Sequence, residues 1–61
     1  MKRGDLIRHL KEFGCILKRE GAGHSLWVNP KTGEMESVPR HNEIKNQLAK
    51  KICRGLSVPE L

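Results

Sequence analysis

No part of the 61-residue sequence is a long apolar run. Its opening, MKRGDLIRHLKEFG, carries a charge every two or three positions, so neither a signal peptide nor a membrane span is expected. Cysteine is scarce, and Cys15 and Cys53 lie far apart. Small secreted domains use more bridges at tighter spacing, so the expectation is two reduced, half-buried thiols in a cytoplasmic protein. The metal-binding spacings C-x-x-C, H-x-x-H and H-E-x-x-H are missing, and His9, His24 and His41 fall on different elements. No metal and no cofactor is expected. No repeat, linker or low-complexity segment divides residues 1–61, which read as a single domain. A chain of this size buries only about 60% of its unfolded surface. That leaves room for one helix layer on one sheet and none for a large internal pocket.

Positive charge is abundant: 12 Lys and Arg stand against 7 Asp and Glu, a net charge of +5. This favours an anionic partner, such as a nucleic acid or an acidic protein. Leu6, Leu10 and Phe13 recur at helical spacing over Arg3 to Phe13, Ile7 widens the stripe, and Gly14 stops the helix. Cys15 to Glu20 reads as a strand, and Gly21 to Gly23 as a turn whose glycines are free to take positive φ. Ser25 to Asn29 is a second strand, NPKTGE a turn, and Glu34 to Pro39 a weaker third strand. Leu48, Ala49, Ile52, Cys53 and Leu56 mark an amphipathic helix, with Asn42 and Asn46 competing to cap it. The expected fold is α+β, in the order α-β-β-β-α: a three-stranded antiparallel meander with both helices on one face.

Strand alternation puts His24, Leu26 and Val28 on one face and Ser25, Trp27 and Asn29 on the other. The pattern does not say which face meets the helices. Trp27 fits a core position better than a base-stacking one. Arg40, Lys45, Lys50, Lys51 and Arg54 gather around the second helix, and Lys18 and Arg19 end the first strand. Each alone fits a solvated face; together they fit a phosphate-binding surface, with Lys45 beside a helix N-terminus. The segment LAKKICRGLSVPEL has the flavour of a helix-turn-helix. However, Ala49 stands six positions before Gly55 where four are required, and only four residues follow Ser57. No recognition helix fits there.

The order Lys2-Arg3-Gly4-Asp5-Leu6-Ile7, Phe13-Gly14, GAGHSLW, a Pro-x-x-Gly turn, VPRH and the basic helix IKNQLAKKIC resembles that of HicA-type toxins. These are small ribonucleases of toxin–antitoxin pairs, with a fold similar to double-stranded RNA-binding domains. The resemblance runs from Lys2 to about Val58. It implies an endoribonuclease acting on mRNA and restrained by a HicB-type antitoxin. It also gives the catalytic role to His24, within Gly23-His24-Ser25-Leu26-Trp27, where Gly23 replaces the family's commoner serine. A glycine usual near the end of the last helix has no equivalent at Ser57, which leaves that terminus open.

Read on its own, His24 fits a structural strand residue as well as a proton carrier. Imidazole exchanges protons near neutral pH, and RNA brings its own nucleophile, the 2′-hydroxyl. A histidine beside it needs neither metal nor deep pocket to act as general base or acid. His41 and Ser25 are the candidate helpers. The candidate RNA contacts are Lys18, Arg19, Gly23, Arg40, Lys45, Lys50 and Lys51. An acidic antitoxin is expected on the same surface as RNA. Two other readings stay open: a catalytically inactive RNA-binding module with a structural His24, and a protein-interaction module.

Overall fold

The computed structural model describes residues 1–61. Helix α1 spans Arg3–Glu12, strands β1, β2 and β3 span Ile16–Glu20, His24–Val28 and Met35–Pro39, and helix α2 spans Asn46–Gly55. The expected α-β-β-β-α order is found. The strands form an antiparallel meander with β2 in the centre. No helix is long and apolar enough to cross a membrane.

Alternation along β2 now has a direction. Ser25 and Trp27 are 1% and 4% exposed, while His24 on the opposite face is exposed. Leu6 and Leu10 of α1 and Ala49, Ile52 and Cys53 of α2 pack with Trp27 and Val38 into one cluster, closed by Cys15, Ile44, Leu56 and Val58. Trp27 is therefore core, with its indole N–H buried and without a partner in the protein. Asn29 is also buried. Its amide donates to the Leu56 carbonyl at 2.7 Å, which fastens the end of β2 to the end of α2.

Both helices end in the same way. Gly14, at φ 87°, and Ser57, at φ 55°, follow the last turn in the left-handed region. Behind them, Cys15 N–H donates to Leu10 O and Val58 N–H to Cys53 O, both at 3.0 Å. These six-to-one bonds satisfy carbonyls that the helix leaves free, and each brings a buried residue back onto the core. The second helix thus closes where the sequence left its end open, with serine in a position that favours glycine.

Several expectations change. Phe13 does not continue the buried stripe: it sits at the α1 C-terminus, 44% exposed, with its ring 4.9 Å from that of His9. Neither Gly21 nor Gly23 takes positive φ, which is found instead at Gly14 and Gly33. Neither Asn42 nor Asn46 caps α2. Lys45 holds the cap position without a side-chain bond, and Asn46 Oδ1 accepts from the Met1 amino group at 3.2 Å. Cys15 and Cys53 are free thiols, fully rather than half buried. Burial raises both thiol pKa values, and Glu60 and Cys15 raise that of Cys53 further. Both stay protonated and unreactive at neutral pH.

Candidate active site at one end of the sheet

The two helices start at the same end of the molecule. Arg3 N–H donates to Asn42 O and the Met1 amino group to Ile44 O, both at 2.8 Å. This places the positive ends of both helix dipoles beside the start of β2 and the end of β3.

Arg3 ties this end together. Its Nε donates to the Pro39 carbonyl at 2.8 Å and its Nη2 to Ser25 Oγ at 2.9 Å. The Ser25 hydroxyl donates onward to Glu20 Oε1 at 2.7 Å, and Arg40 Nη2 donates to the same oxygen at 2.6 Å. One polar chain thus links α1, β2, β1 and the residue after β3. The Ser25 hydroxyl first, and then the Arg40 and Arg3 guanidiniums, hold the Glu20 carboxyl below the usual carboxylate range, against some desolvation. Glu20 therefore stays charged and fixes Arg40 in place. Sequence reasoning missed Arg3 and Glu20 as organisers of this end. The available signal was that Glu20 faces Ser25 across the turn, in register.

His24 stands directly above this chain, on the other face of the sheet. Its imidazole is exposed and makes no hydrogen bond within the protein. Its backbone is held firmly: its carbonyl accepts from Gly21 N–H at 2.8 Å, and it lies opposite Pro39 in β3. A Cβ at position 21 would meet that carbonyl at 3.2 Å, so glycine allows the tight approach that anchors His24. A fixed backbone under a free imidazole suits a proton-transferring group, since the ring meets a ligand without first breaking an internal bond.

A family model described as HicA toxin of bacterial toxin-antitoxin matches residues 3–57. The chain belongs to the HicA toxin family. No curated protein and no solved structure matches it. In this HicA toxin the matched stretch runs from Arg3, which ties the site together, to Ser57, which closes α2.

The remaining candidates of the HicA toxin lie in four places. Pro39 pairs with His24, so β3 delivers Arg40 and then His41, exposed, to the same end. Gly23 is there too, its carbonyl accepting from Arg40 N–H at 3.3 Å. Lys45 lies at the start of α2, in the helix layer. The Ser25 hydroxyl is taken by Arg3 and Glu20 beneath the sheet, so it supports the site from the face opposite His24. Arg19 pairs with Leu26 and shares the open face with His24, whereas Lys18 falls at the register shift of β1. Lys50 and Lys51 lie farther along α2, and Lys51 is 3.2 Å from Glu36. No three His, Cys, Asp or Glu side chains gather where they could hold a metal ion.

Proposed function

We propose that this HicA toxin is a metal-independent endoribonuclease that cleaves mRNA in the cytoplasm, with His24 as its general acid and base and a HicB-type antitoxin as its inhibitor. The observation that carries this reading is the exposed, unbonded imidazole of His24, fixed by its backbone at the end of the sheet where Arg40 follows β3 and Arg3 ties α1 to the strands.

The chemistry follows from what RNA supplies. Neutral His24 takes the proton of a 2′-hydroxyl, and the 2′-oxygen attacks the adjacent phosphorus. The bond from phosphorus to the 5′-oxygen breaks, and that oxygen takes a proton from the imidazolium or from His41. The products are a 2′,3′-cyclic phosphate and a 5′-hydroxyl. Charge that grows on the non-bridging oxygens meets Arg40, Lys45 and the free N–H groups at the α2 N-terminus. Arg40 is suited to this part because Glu20 holds its guanidinium in place while leaving it exposed. Gly23, without a side chain, lets a phosphate approach the backbone beside the ring.

A chelation experiment tests the reading. RNA cleavage by the purified toxin persists unchanged in excess EDTA, measured by gel on a defined transcript. Activity that disappears with EDTA and returns only on adding a divalent ion makes a metal-activated water the nucleophile and contradicts the proposal.

A further inference from the structure

The face of the sheet that carries His24 is not covered by either helix, and its far end is apolar. Ile16, Val28 and Met35 stand side by side across the three strands, in register. Ile16 is 54% exposed and Met35 48%. His24 lies four residues from Val28 along β2, about 13 Å away at the usual rise of a strand. The proposed RNA chemistry makes no use of this row. Beside it, β1 is an edge: it pairs only with β2, and every residue from Ile16 to Glu20 is exposed. Lys18 and Arg19 on that edge belong to no ion pair, in contrast to Arg8, Arg40, Lys51 and Arg54.

We propose that the antitoxin docks here, laying an extended acidic segment along β1 with its apolar side chains over Ile16, Val28 and Met35. This rests on the reading of the chain as a toxin restrained by an antitoxin.

Three considerations select this occupant. The first is charge. A second copy of the chain, paired antiparallel along β1 in the register centred on the strand, would set Lys18 against Lys18, and each copy carries a net charge of +5. Like charges facing across strands are destabilising, and a lysine on an edge strand disfavours pairing with a strand of like charge. An acidic strand meets the same two cations favourably. The second is chemistry. Single-stranded RNA grips a sheet by stacking its bases on aromatic rings. Apart from His24 at the opposite end, the face has none, since Trp27 is buried on the other side and Phe13 lies at the end of α1.

The third is area. Three strands of five residues span a flat patch of about 14 Å by 16 Å, or roughly 230 Å². A specific complex needs about 800 Å² from each partner, so contact with the row alone is too small. Extension over the free edge supplies both area and backbone hydrogen bonds, as in other cases of strand addition. A segment that follows β1 to Glu20 ends at the turn that leads into His24. Inhibition then needs no distortion of the toxin, only cover over the imidazole. The antitoxin is thereby assigned to β1 and the open face instead of the α2 lysines.

The test uses His24→Ala toxin, so that binding is read without cleavage and whatever the role of His24. Replacing Ile16 and Met35 together with glutamine weakens binding of the purified antitoxin by at least about tenfold, while RNA affinity and the state of self-association stay as they were. In the unsubstituted complex, hydrogen exchange at the Ile16–Glu20 amides slows relative to the free toxin. Unchanged antitoxin affinity, or β1 amides that exchange as fast as in the free chain, overturns the proposal. So does a double variant that loses self-association or RNA binding instead, which gives the row to a second copy or to RNA. Loss of antitoxin binding on reversing Lys50 and Lys51 to glutamate, with the apolar row intact, places the partner on α2 and overturns it as well.

Discussion

Substituting His24 with alanine lowers the rate of RNA cleavage by about 10² to 10⁴-fold, the usual contribution of one positioned acid–base group, and leaves the melting temperature essentially unchanged. Both halves of this expectation come from the same geometry. The imidazole is exposed and makes no internal hydrogen bond, so its removal opens no cavity and strands no buried partner. What fixes the site is the His24 backbone, through Gly21 and the pairing with β3, and alanine keeps it. A variant that still cuts RNA at the full rate removes His24 from the chemistry. A variant that unfolds instead assigns the residue to structure. RNA binding by the variant separates a lost chemical step from a lost contact, because the contacts proposed for Arg40 and Lys45 are left in place.

Loss of activity by the opposite route is expected of Ile52→Ala. Ile52 is fully buried at the middle of the cluster that joins α2 to the sheet and α1. Removing most of a buried isoleucine side chain costs about 2–5 kcal/mol. A domain of this length has a total stability of roughly 3–9 kcal/mol, so one substitution takes a large share of it. A loss of ~3 kcal/mol lowers Tm by about 12–24 °C, read by circular dichroism. Cleavage at 37 °C falls because part of the chain is unfolded, and cooling restores it; cooling does nothing for His24→Ala. Phe13→Ala, at a position 44% exposed, serves as the control and shifts Tm far less. An Ile52→Ala protein that melts with the wild type would contradict the packing described for α2.

Much of this fold was legible along the chain, and the parts that were not share a cause. Helical spacing placed Leu6, Leu10, Ala49, Ile52 and Cys53 in the core, where they lie, and each strand begins within a residue of its expected start. Alternation gave β2 two faces without choosing between them, because Leu26 and Val28 on one side compete with Trp27 on the other. The inner face proved to be the one with two polar residues, Ser25 and Asn29. Each is satisfied by a group distant in sequence: Arg3 for Ser25 and the Leu56 carbonyl for Asn29. The capping of α2 failed for a similar reason. The Met1 amino group takes the Asn46 side chain, and Asn42 lies three residues before the cap position at Lys45.

The candidate site divides along the same line. His24 and the end of β3 meet as the meander predicts, because neighbouring strands of a hairpin align by register. Of the Arg3–Ser25–Glu20–Arg40 chain only the Glu20–Ser25 pairing across the turn had a local signal, since Arg3 and Arg40 reach it from parts of the chain distant in sequence. Lys50 and Lys51 group with Arg40 by composition, but in the fold they lie on α2, in the helix layer.

The central claim, that His24 activates the 2′-hydroxyl of the RNA itself, is tested most directly by the ends of the cut strand. A 5′-labelled transcript cleaved by the purified toxin is predicted to end in a 2′,3′-cyclic phosphate or a 3′-phosphate, with a free 5′-hydroxyl on the downstream piece. Fragments that end in a 3′-hydroxyl beside a 5′-phosphate would mean that water attacked the phosphorus from the other side, and would contradict the account.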